Sequence, residues 1–280
     1  MEKIGLVLEG GGMRGVYSAG VLDYLLEQDL HFPYVIGVSA GACNASSYIS
    51  KQIGRNKKVT IDYIRDPRYL SYRNWFKEKS MFGMDFIFDQ IPRELEYFDF
   101  SSYEQSDQQF IVGATDCYTG KPVYFAKDQA DALLPVIRAS SSLPFFSPIV
   151  QHDGYTLLDG GVADPIPVHK AIEDGNTKNV LILTQPADYR KNPFKWKWLA
   201  KKIYPEYQGL VEALVNRHLV YNETLDYIAQ LEKDKQVFVI RPESSLQVKR
   251  MEKNEVKLRS IYERGYQDTS KVFEDLMAWI

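Results

Sequence analysis

Cysteine is nearly absent from this chain of 280 residues, and the two that occur, Cys43 and Cys117, stand far apart. That spacing excludes a disulfide framework and matches no metal-ligand pattern; Cys43 reads as a small buried hydrophobe. Long apolar runs are lacking as well, with nowhere the eighteen consecutive apolar residues that a bilayer-spanning helix needs. The N-terminus enters a strand-like run at once, without the basic region and apolar core of a leader, so a soluble, cytoplasmic protein is expected. Charge of one sign is missing too: 34 Lys and Arg against 37 Asp and Glu leave a net charge of −3, with no dominant block of either sign. No general attraction to nucleic acid is expected. Histidine is scarce, with only His31, His152, His169 and His218 available as imidazole bases. What remains is a length suited to one α/β domain over residues 1–280, without internal repeat, low-complexity tract or linker.

Two short stretches near the N-terminus organise the rest. Ile4 to Leu8 and Tyr34 to Val38 are apolar runs of strand length, and each leads through a glycine-rich turn into a segment of helical periodicity. Val16, Ala19, Leu22, Leu25 and Leu26 mark the first helix, and residues 40–53 the second. This is a βαβ unit and implies a parallel sheet. Strands are then expected at Phe110 to Thr115 and Val123 to Ala126, joined by Thr119-Gly120-Lys121-Pro122, and at Ile149 to Gln151 and Tyr155 to Leu158. A helix over Ala130 to Ser140 lies between the two pairs. Pro165 and Pro167 open a further helix, Val180 to Thr184 reads as a buried strand, and the chain ends in a helix around Leu210 to Glu232, a strand over Val237 to Ile240 and a helix from Val256 onward.

The turns carry the chemistry. Gly37-Val38-Ser39-Ala40-Gly41 has the Gly-x-Ser-x-Gly form, in which a serine occupies a sharp strand-to-helix turn that only flanking glycines leave room for. Gly10, Gly11 and Gly12 form a loop without side chains before Met13, Arg14 and Gly15, so its N–H groups can stabilise an oxyanion at a helix N-terminus. Far along the chain, Asp159 closes an apolar run and is followed by Gly160 and Gly161, a pattern suited to a strand end that passes close to other backbone. A serine needs a base, and from order alone Asp159 with His169 or His218 forms a triad as well as Asp159 alone forms a dyad. The elbow ends only the second strand, earlier than the α/β-hydrolase arrangement places it.

These three pieces, in this order, resemble the patatin-like phospholipase family, whose signature is a Gly-Gly-Gly-x-Arg/Lys-Gly loop, a Gly-x-Ser-x-Gly elbow and an Asp-Gly-Gly/Ala motif. The resemblance covers roughly residues 3–171, leaving the C-terminal part to complete or cap the fold. It implies a three-layer α/β/α sandwich with a mostly parallel central sheet. It also implies a Ser39–Asp159 dyad without histidine, an oxyanion hole at Gly10, Gly11 and Gly12, and a lipid or ester substrate cleaved without cofactor or metal. A carboxylate is a poor base in water, so the dyad implies an Asp159 withdrawn from solvent. Arg14 is the family's basic position in the glycine motif, suited either to holding that loop or to attracting a headgroup.

Other features admit two readings each. Residues 56–104 are irregular and aromatic, fitting either short capping helices or the wall of an acyl-chain pocket. Tyr189 to Tyr207 interleaves Arg190, Lys191, Lys195, Lys197, Lys201 and Lys202 with Phe194, Trp196, Trp198 and Tyr204. Such a stretch suits peripheral membrane contact through Trp196, Trp198, Lys197 and Lys201, or an ordinary surface helix. Ser140, Ser141 and Ser142 precede a proline rather than an elbow glycine and read as turn or pocket residues. Asp153, Asp159 and Asp164 lack calcium-loop spacing. Gly10-x-Gly12-x-x-Gly15 also spells the dinucleotide fingerprint, but the acidic ribose partner expected at the end of the second strand is replaced by Ser39. A dinucleotide-dependent oxidoreductase and a non-catalytic lipid-binding protein of the same fold are the alternatives to an ester hydrolase.

Overall fold

The computed structural model describes residues 3–127 and 130–280. β1 (Ile4–Leu8) leads through a 3₁₀ turn at Gly12–Arg14 into α1 (Gly15–Glu27), and β2 (Tyr34–Val38) returns parallel beside it, Leu6 opposite Val35. α2 (Ala40–Ile49) stops short of the expected residue 53, because Lys51 takes a left-handed φ of 56° that no α-helix continues through. Short pieces follow: α3 (Arg55–Lys57), a π-helical turn at Lys58–Asp62, α4 (Tyr72–Glu78), a π-helical segment at Phe86–Leu95 and α5 (Phe100–Gln105). Then come β3 (Gln109–Asp116), β4 (Pro122–Ala126), α6 (Ala130–Ser140), β5 (Val150–His152) and β6 (Tyr155–Asp159). The chain closes with α7 (Val168–Glu173), β7 (Lys178–Ile182), α8 (Lys197–Ile203), α9 (Gln208–Lys233), β8 (Val237–Ile240) and α10 (Glu255–Trp279).

β8, β7, β1, β2 and β3 lie side by side and parallel, while β4, β5 and β6 join antiparallel at the β3 side. Alternation along the strands splits the core in two. Leu6, Leu8, Val35, Val112, Val180 and Ile182 face α1, α2 and α10, and Val7, Ile36, Ile111 and Leu181 face α7 and α9. The result is the three-layer sandwich, with both sheet faces covered as a parallel sheet requires.

One detail of register positions the site. β3 is longer than β2: it pairs with β2 from Gln109 to Gly113, and β6 takes over the same edge from Ala114, with β4 on the opposite edge throughout. Val38 sits opposite Gly113 and Asp159 opposite Ala114, so the residue after Val38 and the last residue of β6 meet over adjacent positions of one strand.

Candidate active site

Ser39 occupies the turn between β2 and α2 with φ 54° and ψ −125°, a conformation that costs a non-glycine residue about 1–3 kcal/mol. The turn is tight because its flanks touch other backbone: a Cβ on Gly37 would stand 2.8 Å from Ala42 N, and one on Gly41 would stand 2.6 Å from Leu8 O. The strained residue is held from outside. The Ser39 N–H donates to Ser140 Oγ at 2.8 Å, and the Ser140 hydroxyl donates in turn to Gly113 O at 2.6 Å, both contacts fully buried.

Asp159 is fixed on every side. Its N–H donates to Ser142 O, its carbonyl accepts from Thr115 Oγ1, and its Oδ1 accepts from the Gly161 N–H at 2.8 Å. The remaining oxygen, Oδ2, accepts from Ser39 Oγ at 2.7 Å. A Cβ on Gly160 would lie 2.1 Å from Gly113 O, so the backbone can turn away at this strand end only without a side chain. Ser39 is 6% and Asp159 3% exposed, which withdraws the carboxylate from water.

The glycine loop lies across from this pair. Gly10 does not present a free donor: its N–H is engaged by Pro165 O at 3.2 Å, which narrows the expected trio to Gly11 and Gly12. Their N–H groups have no acceptor among the described residues. Gly15, where α1 begins, packs against Ala40, where α2 begins, and Asn44 Nδ2 ties the two by donating to Gly15 O at 2.7 Å. Two helix N-termini therefore converge beside Ser39 and add positive potential there. The Arg14 side chain makes no hydrogen bond to the loop among the described residues, and its buried Nε has no partner.

Ser39 and Gly12 open into a narrow, mainly apolar cavity of about 100 Å³. Tyr69, Phe82, Met84, Ile87 and Phe88 line it, so the aromatic segment is pocket wall at these positions, while Tyr63 and Phe86 pack against the core. Its remaining wall includes Cys43 and Ser141, whose side chains meet at 3.4 Å; burial pushes the Cys43 thiol up to about 11.

Among the described residues no histidine hydrogen-bonds to Ser39 or Asp159, although His218 lines the same cavity as Asp159. His169 stacks on Tyr227 with ring centroids 4.4 Å apart, His152 meets the edge of Phe125, and His218 Nδ1 contacts Val215 O at 3.0 Å. Asp153, Asp159 and Asp164 do not converge into a cation-binding cluster among the described residues; Asp164 accepts instead from Tyr124 OH at 2.6 Å.

Ser140, read from sequence as a turn or pocket residue, braces the elbow through partners 101 and 27 residues away that leave no local signature. Sequence reasoning placed Lys191 with the exposed basic stretch, whereas Lys191 is half-buried over the Tyr221 ring. Trp196, Trp198, Lys197 and Lys201 are exposed, on and just before α8.

Comparison with known proteins agrees with this architecture. A family model described as patatin-like phospholipase matches residues 6–172, and residues 207–280 match a domain of unknown function. The Escherichia coli (strain K12) protein described as uncharacterized protein YjjU is 29% identical, over 87% of this chain and 70% of its own length. Lysophospholipase nte1 of Aspergillus terreus is 27% identical over 60% of this chain, a match that spans 11% of the fungal protein. The crystal structure of VipD from Legionella pneumophila superposes with a TM-score of 0.53 at 14% identity, covering 98% of this chain and 67% of VipD, a likeness of fold. With its three motifs folded onto one site and the family model matching more than half of its length, the chain belongs to the patatin-like phospholipase family.

Proposed function

We propose that the chain is a serine acyl hydrolase that cleaves carboxylic esters of lipids through Ser39 and Asp159. The observation that carries this reading is the 2.7 Å hydrogen bond from Ser39 Oγ to a buried carboxylate, made at a strained elbow beside two backbone N–H groups that have no acceptor among the described residues. In the reaction, Asp159 Oδ2 takes the hydroxyl proton as Ser39 Oγ bonds to the ester carbonyl carbon. The carbonyl oxygen becomes an oxyanion held by the N–H groups of Gly11 and Gly12 and by the dipoles of α1 and α2. Collapse breaks the ester C–O bond, and Asp159 returns the proton to the departing alcohol. Water, deprotonated by Asp159, then attacks acyl-Ser39; the acyl–Oγ bond breaks, Asp159 returns the proton to Ser39 Oγ, and the fatty acid leaves. The cavity beside Ser39 takes the acyl chain, and the lysophospholipase name of a relative points to the same substrate class.

A fluorophosphonate probe tests this, because it reacts only where a nucleophile and an oxyanion hole coincide. Labelling should map to Ser39 and vanish in Ser39→Ala. Asp159→Asn should lower hydrolysis of a short-chain ester by roughly 10²–10⁴-fold, as loss of a general base does. Alanine at His152, His169 or His218 should leave most of it. A histidine variant as inactive as Ser39→Ala would overturn the dyad. Absence of both labelling and hydrolysis would leave the non-catalytic lipid-binding reading in its place.

A further inference from the structure

Beyond Asp159 lies a second, larger cavity of about 430 Å³. Phe145, Phe146, Phe194 and Trp196 contribute apolar wall, and Lys191, Arg217 and Arg250 contribute cations. Arg14, from the glycine loop, is close enough to repel all three. Four cations gathered from positions so distant in sequence would ordinarily be neutralised by carboxylates.

The two carboxylates within reach are already committed to neutral donors. Glu9 accepts from Tyr221 OH at 2.6 Å, from the Thr184 N–H at 2.6 Å and from Thr184 Oγ1 at 3.0 Å. Asp159 accepts from Ser39 and Gly161. Among the described residues none of the four cations forms an ion pair. Arg217 uses Nε on Gly161 O, and among the described residues the Arg250 guanidinium and Lys191 Nζ have no hydrogen-bond acceptor. Burial, and then the charges of Arg217, Arg250 and Arg14, outweigh the opposing charge of Glu9 and push the Lys191 ammonium down to about 7.

Position relative to Asp159 says what the field is for. In acyl transfer the carboxylate returns its proton to the departing alcohol, so the alcohol half of the ester lies on the Asp159 side. Asp159 is itself part of this cavity wall, whereas Ser39 and Gly12 line the apolar cavity. We propose that Lys191, Arg217 and Arg250, with the positive charge of Arg14 nearby, form a subsite for a phosphate ester, the phosphate of a glycerophospholipid whose acyl chain lies in the cavity at Ser39. Guanidinium groups match phosphate oxygens in geometry and charge, and apolar walls around them strengthen the attraction. The assignment rests on the acyl-hydrolase reading. It also gives the C-terminal region a task, since Arg217 and Arg250 both fall within residues 207–280.

Binding measured without turnover separates this inference from the reaction. Calorimetric titration of the full chain with the phosphodiester sn-glycero-3-phosphoglycerol should show saturable binding, and glycerol should show none. Arg250→Gln and Lys191→Gln, made separately and checked for folding by circular dichroism, should each weaken the diester at least about tenfold, the scale of one charge-assisted hydrogen bond. Sulfate should displace the diester from the unaltered protein, a check that needs no variant. No saturable binding, or equal binding by both folded variants, would overturn the subsite. Inorganic phosphate binding while the diester is excluded would overturn the headgroup assignment in favour of free phosphate. Diester binding without fluorophosphonate labelling would sink the hydrolase reading alone, and labelling without diester binding would sink this inference alone.

Discussion

Ser140 shows how much of the site depends on one hydroxyl outside the reacting pair. It is wholly buried and bridges the Ser39 N–H to Gly113 O, satisfying two backbone groups with one side chain. Ser140→Ala leaves both groups buried and unpaired, at about 1–3 kcal/mol each, and removes the brace that holds Ser39 at φ 54°. The urea midpoint should fall accordingly, and Ser39 should react more slowly with fluorophosphonate under conditions where the variant is fully folded. An unchanged midpoint and rate would mean that the elbow holds itself. The contrast with the glycine motifs explains what was legible in the sequence. A tight turn is a local demand, written in Gly37 and Gly41 beside Ser39, and so is a loop whose N–H groups must stay accessible. Ser140 answers a demand made by residues far away in the chain, as do Lys191, Arg217 and Arg250. A run of three serines before a proline or a scattered arginine carries no period that would reveal it. The same limit explains Gly10, whose N–H is taken by Pro165, a partner no local pattern names.

At the level of elements, strands were legible because β1 and β2 are buried on both faces, and the apolar runs of β1, β2 and β8 and the Val180 to Ile182 part of β7 stand out in the sequence. The register of β7, two residues earlier than expected, is set by pairing with β1 rather than by its own composition. Residues 56–104 were legible as short helices and pocket wall but not element by element, since short and π-helical turns have no settled period for apolar spacing to follow. α8 combines both situations. Ala200 and Tyr204, four apart, are buried against Leu210 and Leu214, which accounts for its inner face as an ordinary packed helix. Packing gives no reason for Trp196 and Trp198 to be 60% and 66% exposed, or for Lys197 and Lys201 to flank them. A lipid surface gives one, because indole rings favour headgroup depth and lysines attract anionic lipid. Since Trp196 also borders the basic cavity, contact there would present lipid beside the site. The full chain should sediment with anionic vesicles, release as salt rises, and lose this binding when Trp196, Trp198, Lys197 and Lys201 are replaced by alanine. Equal recovery with neutral and anionic vesicles, untouched by the substitutions, would leave α8 as a surface helix only.

Across the whole molecule, the two matched regions are tied through the centre of the fold. β8 extends the same sheet as β1, Arg250 O accepts from the Met13 N–H beside the glycine loop, and Arg217 Nε donates to Gly161 O. α10 and α1 cross in close backbone contact: a Cβ on Gly20 would stand 2.0 Å from Tyr262 O, and one on Gly265 would stand 2.1 Å from Tyr17 O. Tyr262 OH donates to Asp23 at 2.6 Å and Tyr17 OH to Asp268 at 3.1 Å, so side chains lock the crossing that the glycines allow. α1 in turn begins beside the elbow, which makes its position a condition of the site's geometry. We therefore expect residues 1–280 to unfold as one cooperative unit, with the C-terminal helix inside it. Gly265→Val forces side-chain atoms into the Tyr17 backbone, and overpacking of this kind costs about 1–3 kcal/mol. The variant's urea midpoint should drop, and the drop should be the same by far-ultraviolet circular dichroism, by tryptophan fluorescence, to which Trp279 at the end of α10 contributes, and by loss of Ser39 labelling. If α10 were an appendage, fluorescence would change at low urea while labelling persisted to the midpoint of the unaltered chain. Coincident transitions in both proteins would instead show that the region without a motif is part of what holds Ser39 and Asp159 together.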